Sequence, residues 1–309
     1  ARDVKFHIWF QGKCKPNMEK ILTDFTAFTK EQITMMTDIP AKEYHFLFQI
    51  VPYKFYHGVE HSTSTVIALG PSYDLMKINK LYYDFLGISS HELFHTWNIK
   101  TIRPEEMMPY DYTKENYSRL GYVAEGITTY YGDLFLYRSG VYSEFEYFKN
   151  IHEQLQKHFH NYGRFNLSVA DSSFDTWLDG YTDGIPNRKT SIYTEGSLCA
   201  LMLDLLIRRH TDDKKSLDDV MRSLYFDFGK KGIGYSEKDY KSVVENVSGH
   251  SFDEFFKNYY YGTTSYEPML QEALSHIGCE ILKTRSRFYF ENRFGFKVVQ
   301  KEGLSKVKN

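Results

Sequence analysis

The chain has 309 residues, of which 42% are apolar and 17% aromatic, enough to bury a sizeable core. A formal charge of -2 and a pI near 6.7 give no electrostatic basis for binding nucleic acid or an anionic membrane. No apolar run approaches the roughly 20 residues that span a bilayer, and the first residues lack the charged-then-apolar order of a signal peptide. Cys14, Cys199 and Cys279 are few, odd in number and widely spaced, so they read as structural thiols. The compartment stays open between a bacterial cytoplasm and a periplasm.

Val4 to Phe10 alternates with the period of two of a strand, and Gln11-Gly12-Lys13 turns it. A chain that opens in a strand points to an earlier segment. Ile21, Leu22, Phe25, Phe28, Ile33 and Met36 recur at helical spacing over 18–38, and Pro40 stops the run. Tyr44 to Val51 reads as a second strand, with the helix packed on the sheet. Tyr56 to Leu69 reads as a polar, glycine-containing turn that runs into a third strand. A carboxylate such as Glu60 in a turn beside a sheet edge can anchor a substrate ammonium, and the edge can pair with an extended peptide. The plain alternative is a solvated loop acid.

Leu75 to Trp97 is helical in pattern, with Ile78, Leu81, Tyr82, Phe85 and Leu86 ahead of Gly87, where either two helices abut or one bends. Its end carries His91-Glu92-Leu-Phe-His95. On a helix the two imidazoles lie one turn apart on one face, a metal-chelating pair, and Glu92 can reach a metal-bound water without binding the metal. The alternative is two core histidines with satisfied hydrogen bonds. Ile99 to Tyr112 holds two prolines and little periodicity, so it reads as a long loop. Within it, Arg103 either binds substrate or pairs a neighbouring carboxylate.

Leu120, Val123, Ala124, Ile127, Tyr130, Tyr131 and Leu134 mark the next helix, with Glu125 in its middle. A carboxylate on the apolar side of a helix is costly unless paired or bound to metal, which makes Glu125 the third-ligand candidate. Glu105, Glu106, Asp111 and Glu115 compete from the loop, where a rigid position is harder to hold. Gly121, Gly126 and Gly132 would let this helix approach the first. Two histidines and one glutamate leave a fourth tetrahedral position open, as in a catalytic zinc site; a further His or Cys nearby would make the site structural instead.

The run from His91 through Arg103-Pro104, then Pro109-Tyr-Asp-Tyr112, then Glu125-Gly-Ile-Thr-Thr-Tyr-Tyr131, resembles the glycyl aminopeptidase family of gluzincin zinc peptidases. Gly58-Val-Glu60-His61 resembles the family's Gly-Gly-Leu-Glu-His turn, in which the glutamate contacts the substrate's free α-amine. Tyr193-Thr-Glu-Gly196 resembles the Tyr-x-x-Gly element whose phenol donates to the developing oxyanion. His57 and Glu195 depart from the family pattern, at the first Gly of the turn and at the Lys of Tyr-Glu-Lys-Gly, without removing a catalytic atom. The similarity covers roughly residues 1–280, and the family's preceding β domain is absent from the chain.

Helical patterns follow near 143–160, 196–210, 216–228, 236–247, 252–262 and 267–277, with a loop from Ser172 to Arg188 that borders Tyr193. Glu280 to Val299 alternates like strands, and Phe294 to Val298 resembles the opening of the PDZ domain that follows the peptidase unit in this family. The resemblance implies an α+β, thermolysin-like unit over 1–140, a helical subdomain over 141–278 that completes the cleft, and a tail over 279–309 that begins an incomplete PDZ domain. It implies one Zn2+ on His91, His95 and Glu125, Glu92 and Tyr193 as catalytic groups, and Glu60, Gly58 and Arg103 at the substrate. The expected partner is a peptide with a free N-terminus, cleaved after a small residue such as Gly or Ala. An endopeptidase, for which Glu60 would be irrelevant, and a non-catalytic peptide-binding relative are the alternatives.

Overall fold

The computed structural model describes residues 3–72, 74–77, 79–179, 185–286, 288–301 and 304–308. Strand β1 (Lys5–Gln11) and β2 (Glu43–Ile50) run parallel, joined by helix α1 (Met18–Met36), the crossover that a parallel pair requires. Asn17 caps α1 by accepting from the Lys20 amide at 3.1 Å, and the helix stops at Met36, two residues before the expected end. Strands β3 (Phe55–Glu60) and β4 (Ser64–Gly70) complete a sheet of order β1-β2-β4-β3, with β4 parallel to β2 and β3 antiparallel to β4. Tyr44, Phe46, Phe48 and Ile50 alternate onto the inner face, where Phe25 of α1 meets Phe46 edge-on at 4.9 Å.

The stretch expected as a turn before the third strand is itself an edge strand. Gly58 and Glu60 have low strand propensity, but pairing with Ile67 and Thr65 of β4 overrides it. The turn is confined to residues 61–63, where the His61 amide donates to the Ser64 carbonyl at 2.8 Å.

Helix α2 (Asn79–Phe94) is one continuous helix through Gly87, so of the two alternatives there the abutment of two helices does not occur. Ile78, expected on its apolar face, lies outside the described residues. Phe85 packs on Phe48 at 4.5 Å, fixing α2 against the sheet. The loop beyond α2 holds one 3-10 turn, Glu105–Met107. It leads to a π-helical segment, Tyr122–Ile127, that runs directly into α3 (Thr128–Arg138).

The remainder is mostly helical: α4 (Glu144–His160), α5 (Val169–Phe174), α6 (Thr176–Asp179), α7 (Ile192–His210), α8 (Leu217–Asp227), α9 (Glu237–Ser248), α10 (Asp253–Phe255) and α11 (Glu267–Ser275). A capping box at Ser143 starts α4, and others at Ser216 and Ser236 start α8 and α9. Helix α7 is buried almost all round and is the axis of this half. Two expectations change here. Part of the stretch from Ser172 is helical, in α5 and α6, while 180–184 lie outside the described residues. Of the stretch from Glu280 to Val299 expected to alternate like strands, residues 297–299 alone among those described lie in a strand: α12 (Tyr289–Phe294) precedes a hairpin of β5 (Lys297–Lys301) and β6 (Leu304–Lys308). All three cysteines are free thiols, and no helix among the described residues is long and apolar enough to cross a membrane.

Candidate active site

His91 and His95 project from the end of α2 with their Nε2 atoms 3.1 Å apart. Glu125 Oε2 stands 3.3 Å from the first and 3.4 Å from the second. A tetrahedral metal with bonds of about 2.0–2.1 Å separates its ligand atoms by about 3.3 Å, so the three edges fit one ion. His95 Nδ1 lies 2.7 Å from the Asn98 carbonyl, to which it donates, so its Nε2 lone pair is directed at His91 and Glu125. Glu125 Oε2 is buried without a hydrogen-bond partner among the described residues, an acceptor in need of a cation. The electrostatics agree. Burial disfavours charge on His95, yet the Glu125 carboxylate outweighs it and lifts the imidazole to about 10. Burial likewise opposes the Glu125 charge, and the two imidazoles reverse that and hold its carboxyl well below the ordinary range. A dication satisfies the same three groups without a shared proton.

Two contacts set the ligand elements at this distance. Ser90 Oγ donates to the Gly132 carbonyl at 2.8 Å, tying α2 to α3, and a Cβ on Gly132 would press on His91. Of the three glycines expected to let the helices approach, Gly132 alone faces α2. Gly126 abuts Gly196 of α7, where a side chain on either would overlap the other's backbone, and Gly121 faces Ser173 and Ile192. The Gly126 and Gly196 contact brings the first turn of α7, with Tyr193, beside Glu125.

Asn98 was not singled out in the sequence, although a polar residue directly after a buried Trp97 is a usable signal. It is fully buried, and its Nδ2 donates to the carbonyls of Val123 and Ala124 at 2.8 and 3.2 Å and lies 3.0 Å from Thr128 Oγ1. These groups flank Glu125, so Asn98 connects the end of α2 to the π segment that aims Glu125. Replacing Asn98 by Ala is expected to cost about 1–3 kcal/mol in thermal unfolding. It should also weaken metal binding about 10- to 100-fold in a metal titration. Unchanged affinity in the folded variant would mean that the π segment aims Glu125 unaided.

Glu92 is 5% exposed, with Oε2 buried and without a hydrogen-bond partner among the described residues. Burial raises its pKa, against the lowering effect of His91 and His95. Its carboxyl lies against the Cα of Gly58 in β3, so closely that a Cβ there would overlap it. Glu60, at the end of the same strand, has a carboxylate oxygen within 4.8 Å of the facing atoms of Glu92 and His95. The Lys100 ammonium pairs with Glu60 Oε1 at 3.1 Å. Arg103 does not line the cleft: its Nε and Nη2 donate to the carbonyls of Ile99 and Lys100, both at 3.2 Å. Its geometry holds the backbone of Lys100. Tyr193, in the first turn of α7, stacks beside His91 with ring centroids 6.3 Å apart.

These groups line an open cleft of about 1170 Å3 between β3 and α4, with α2 and α3 as its floor. Glu105, Glu106, Asp111 and Glu115, the competing ligands, are not among its lining residues.

Residues 84–199, from within α2 to the first turns of α7, match the sequence profile of the M61 glycyl aminopeptidase family. The fold is similar to the crystal structure of an aminopeptidase N family protein from Idiomarina loihiensis, with 31% identity and a TM-score of 0.79 over 86% of this chain and 46% of that one. It is also similar to an M1 zinc metallopeptidase from Deinococcus radiodurans, in a mutant bound to a Tyr-Ser-Ala substrate. There the identity is 13% and the TM-score 0.50, over 82% of this chain and 46% of that one, a likeness of fold. The chain therefore spans about half the length of the structures it resembles. No curated protein matches it in sequence.

Proposed function

We propose that this chain, which belongs to the M61 glycyl aminopeptidase family, carries the catalytic machinery of a zinc-dependent aminopeptidase that removes one small residue from the free N-terminus of a peptide. The observation that carries this reading is the placement of Glu60 within 4.8 Å of Glu92 and His95, a carboxylate for an ammonium beside a metal triangle. His91, His95 and Glu125 would hold one Zn2+, which when bound polarises the scissile carbonyl and acidifies a water. Glu92 accepts the proton of the attacking water and returns it to the leaving amine. Tyr193 donates to the oxyanion from the side of α7. Glu60 holds the substrate ammonium one residue from the cut, which restricts cleavage to single N-terminal residues. Gly58 leaves room for the Glu92 carboxylate beside the substrate backbone. Arg103 contributes indirectly, through Lys100. We assign the sheet and ligand helices of 1–140 to a thermolysin-like unit, 141–278 to the wall of the cleft, and 279–309 to the start of a further domain.

A glycyl anilide and its N-acetylated form separate this reading from an endopeptidase. The free amine alone should be cleaved, and Glu60→Gln should lower kcat/KM by roughly 10- to 100-fold, the effect of losing one charge-assisted contact. Equal cleavage of the acetylated substrate would overturn the reading.

A further inference from the structure

Off the cleft floor opens a smaller cavity of about 30 Å3, at the junction of α3, α4 and α7. Thr129, Asp133 and Gln154 line both spaces, so they form its mouth. Its interior is mostly apolar, with Tyr130, Tyr147, Ile151, Leu198 and Leu201, and the hydroxyl of Ser197 there donates to the Thr194 carbonyl at 3.0 Å. About 10–15 Å3 of such space holds a water, so this cavity has room for two or three non-hydrogen atoms. Its mouth is rich in acceptors. Gln154 Oε1 is buried and has no hydrogen-bond partner among the described residues. Asp133 accepts from Asn150 through Oδ1 at 3.0 Å, which leaves its second oxygen to accept.

The position of the cavity relates it to the scissile bond. Thr129 follows Glu125 by one helical turn, whereas Glu60 lies on the β3 side with Glu92 and His95. A peptide with its amine at Glu60 and its first carbonyl at the metal triangle carries its second side chain toward α3 and α4. We propose that this cavity receives the side chain of the residue after the scissile bond and selects small hydroxyl-bearing ones, serine and threonine, through the one hydrogen bond that their hydroxyl donates to Gln154 Oε1. Leucine and phenylalanine exceed the space. Valine has the shape of threonine but leaves Gln154 Oε1 unpaired and displaces the water that would serve it.

The inference rests on the aminopeptidase reading, and its test separates the two. The zinc-loaded chain is given Gly-Thr-Ala, Gly-Val-Ala and Gly-Leu-Ala, and kcat/KM is measured for each. The expected ratio of threonine to valine is about tenfold or more, with leucine poorest. The ratio should fall to near one in Gln154→Met, or in Gln154→Leu if the first variant does not fold. A wild-type ratio within twofold, or a ratio that survives in the folded variant, would overturn the selection while cleavage of free-amine substrates alone still upheld the aminopeptidase. If none of the peptides is hydrolysed, the aminopeptidase reading fails, and calorimetric binding of the same peptides to the Glu92→Gln protein decides for the cavity: tenfold preference supports it, equal affinity overturns it.

Discussion

Substituting Glu92 by Gln should lower kcat by about 10²- to 10⁴-fold, the usual contribution of a positioned general base. The metal should remain bound, because Glu92 is outside the triangle of His91, His95 and Glu125. The fold should be kept as well. Glu92 is buried, and burial already disfavours its charge, so a neutral amide of the same shape relieves a cost. The three readouts are turnover, bound zinc and thermal unfolding. Retention of more than a tenth of the activity would remove Glu92 from the proton transfer, and loss of zinc would mean that it belongs to the ligand set.

Gly58→Ala should be nearly as damaging to turnover, by roughly 100-fold, yet almost silent in stability, within about 1 kcal/mol. Gly58 is not at a positive φ, so alanine meets no backbone objection there. The atom that its Cβ would overlap is the Glu92 carboxyl, the free end of a flexible side chain, which turns aside more readily than backbone. The displaced group is the proposed base. A double-mutant cycle is the diagnostic: in the Glu92→Gln background, Gly58→Ala should cost little further in kcat, because both changes act through one carboxylate. Additive losses would assign Gly58 a separate role, such as room for the substrate backbone.

The parts legible in the sequence are those encoded by local spacing. His91, Glu92 and His95 lie within one helical turn, so a helix is enough to bring the imidazoles together. Glu125 stood out because a carboxylate inside an apolar periodicity requires a counter-charge, and the structure places its oxygen 3.3 and 3.4 Å from the two histidines. The helices of the second half were visible for the same reason, their apolar faces repeating every three to four residues.

What local pattern could not carry was decided by partners distant in the chain. Gly58 and Glu60 read as a turn because their propensities are those of a turn, and only pairing with β4 makes them an edge strand facing Glu92. Arg103 read as a substrate contact or as the partner of a neighbouring carboxylate, and the fold instead gave it the carbonyls of Ile99 and Lys100, with Lys100 the cation at Glu60. The alternation after Glu280 became a strand only at its end, in β5, where β6 supplies a partner, while α12 precedes it. The sequence by itself thus determined the candidate donors His91, His95 and Glu125 and the helices that bear them, since both follow from a repeat of a few residues. The tertiary structure alone decided what surrounds them and the shape of the cleft, because Gly126 against Gly196, Asn98 beneath the π segment and Gly58 against Glu92 join segments whose proximity no short-range repeat encodes.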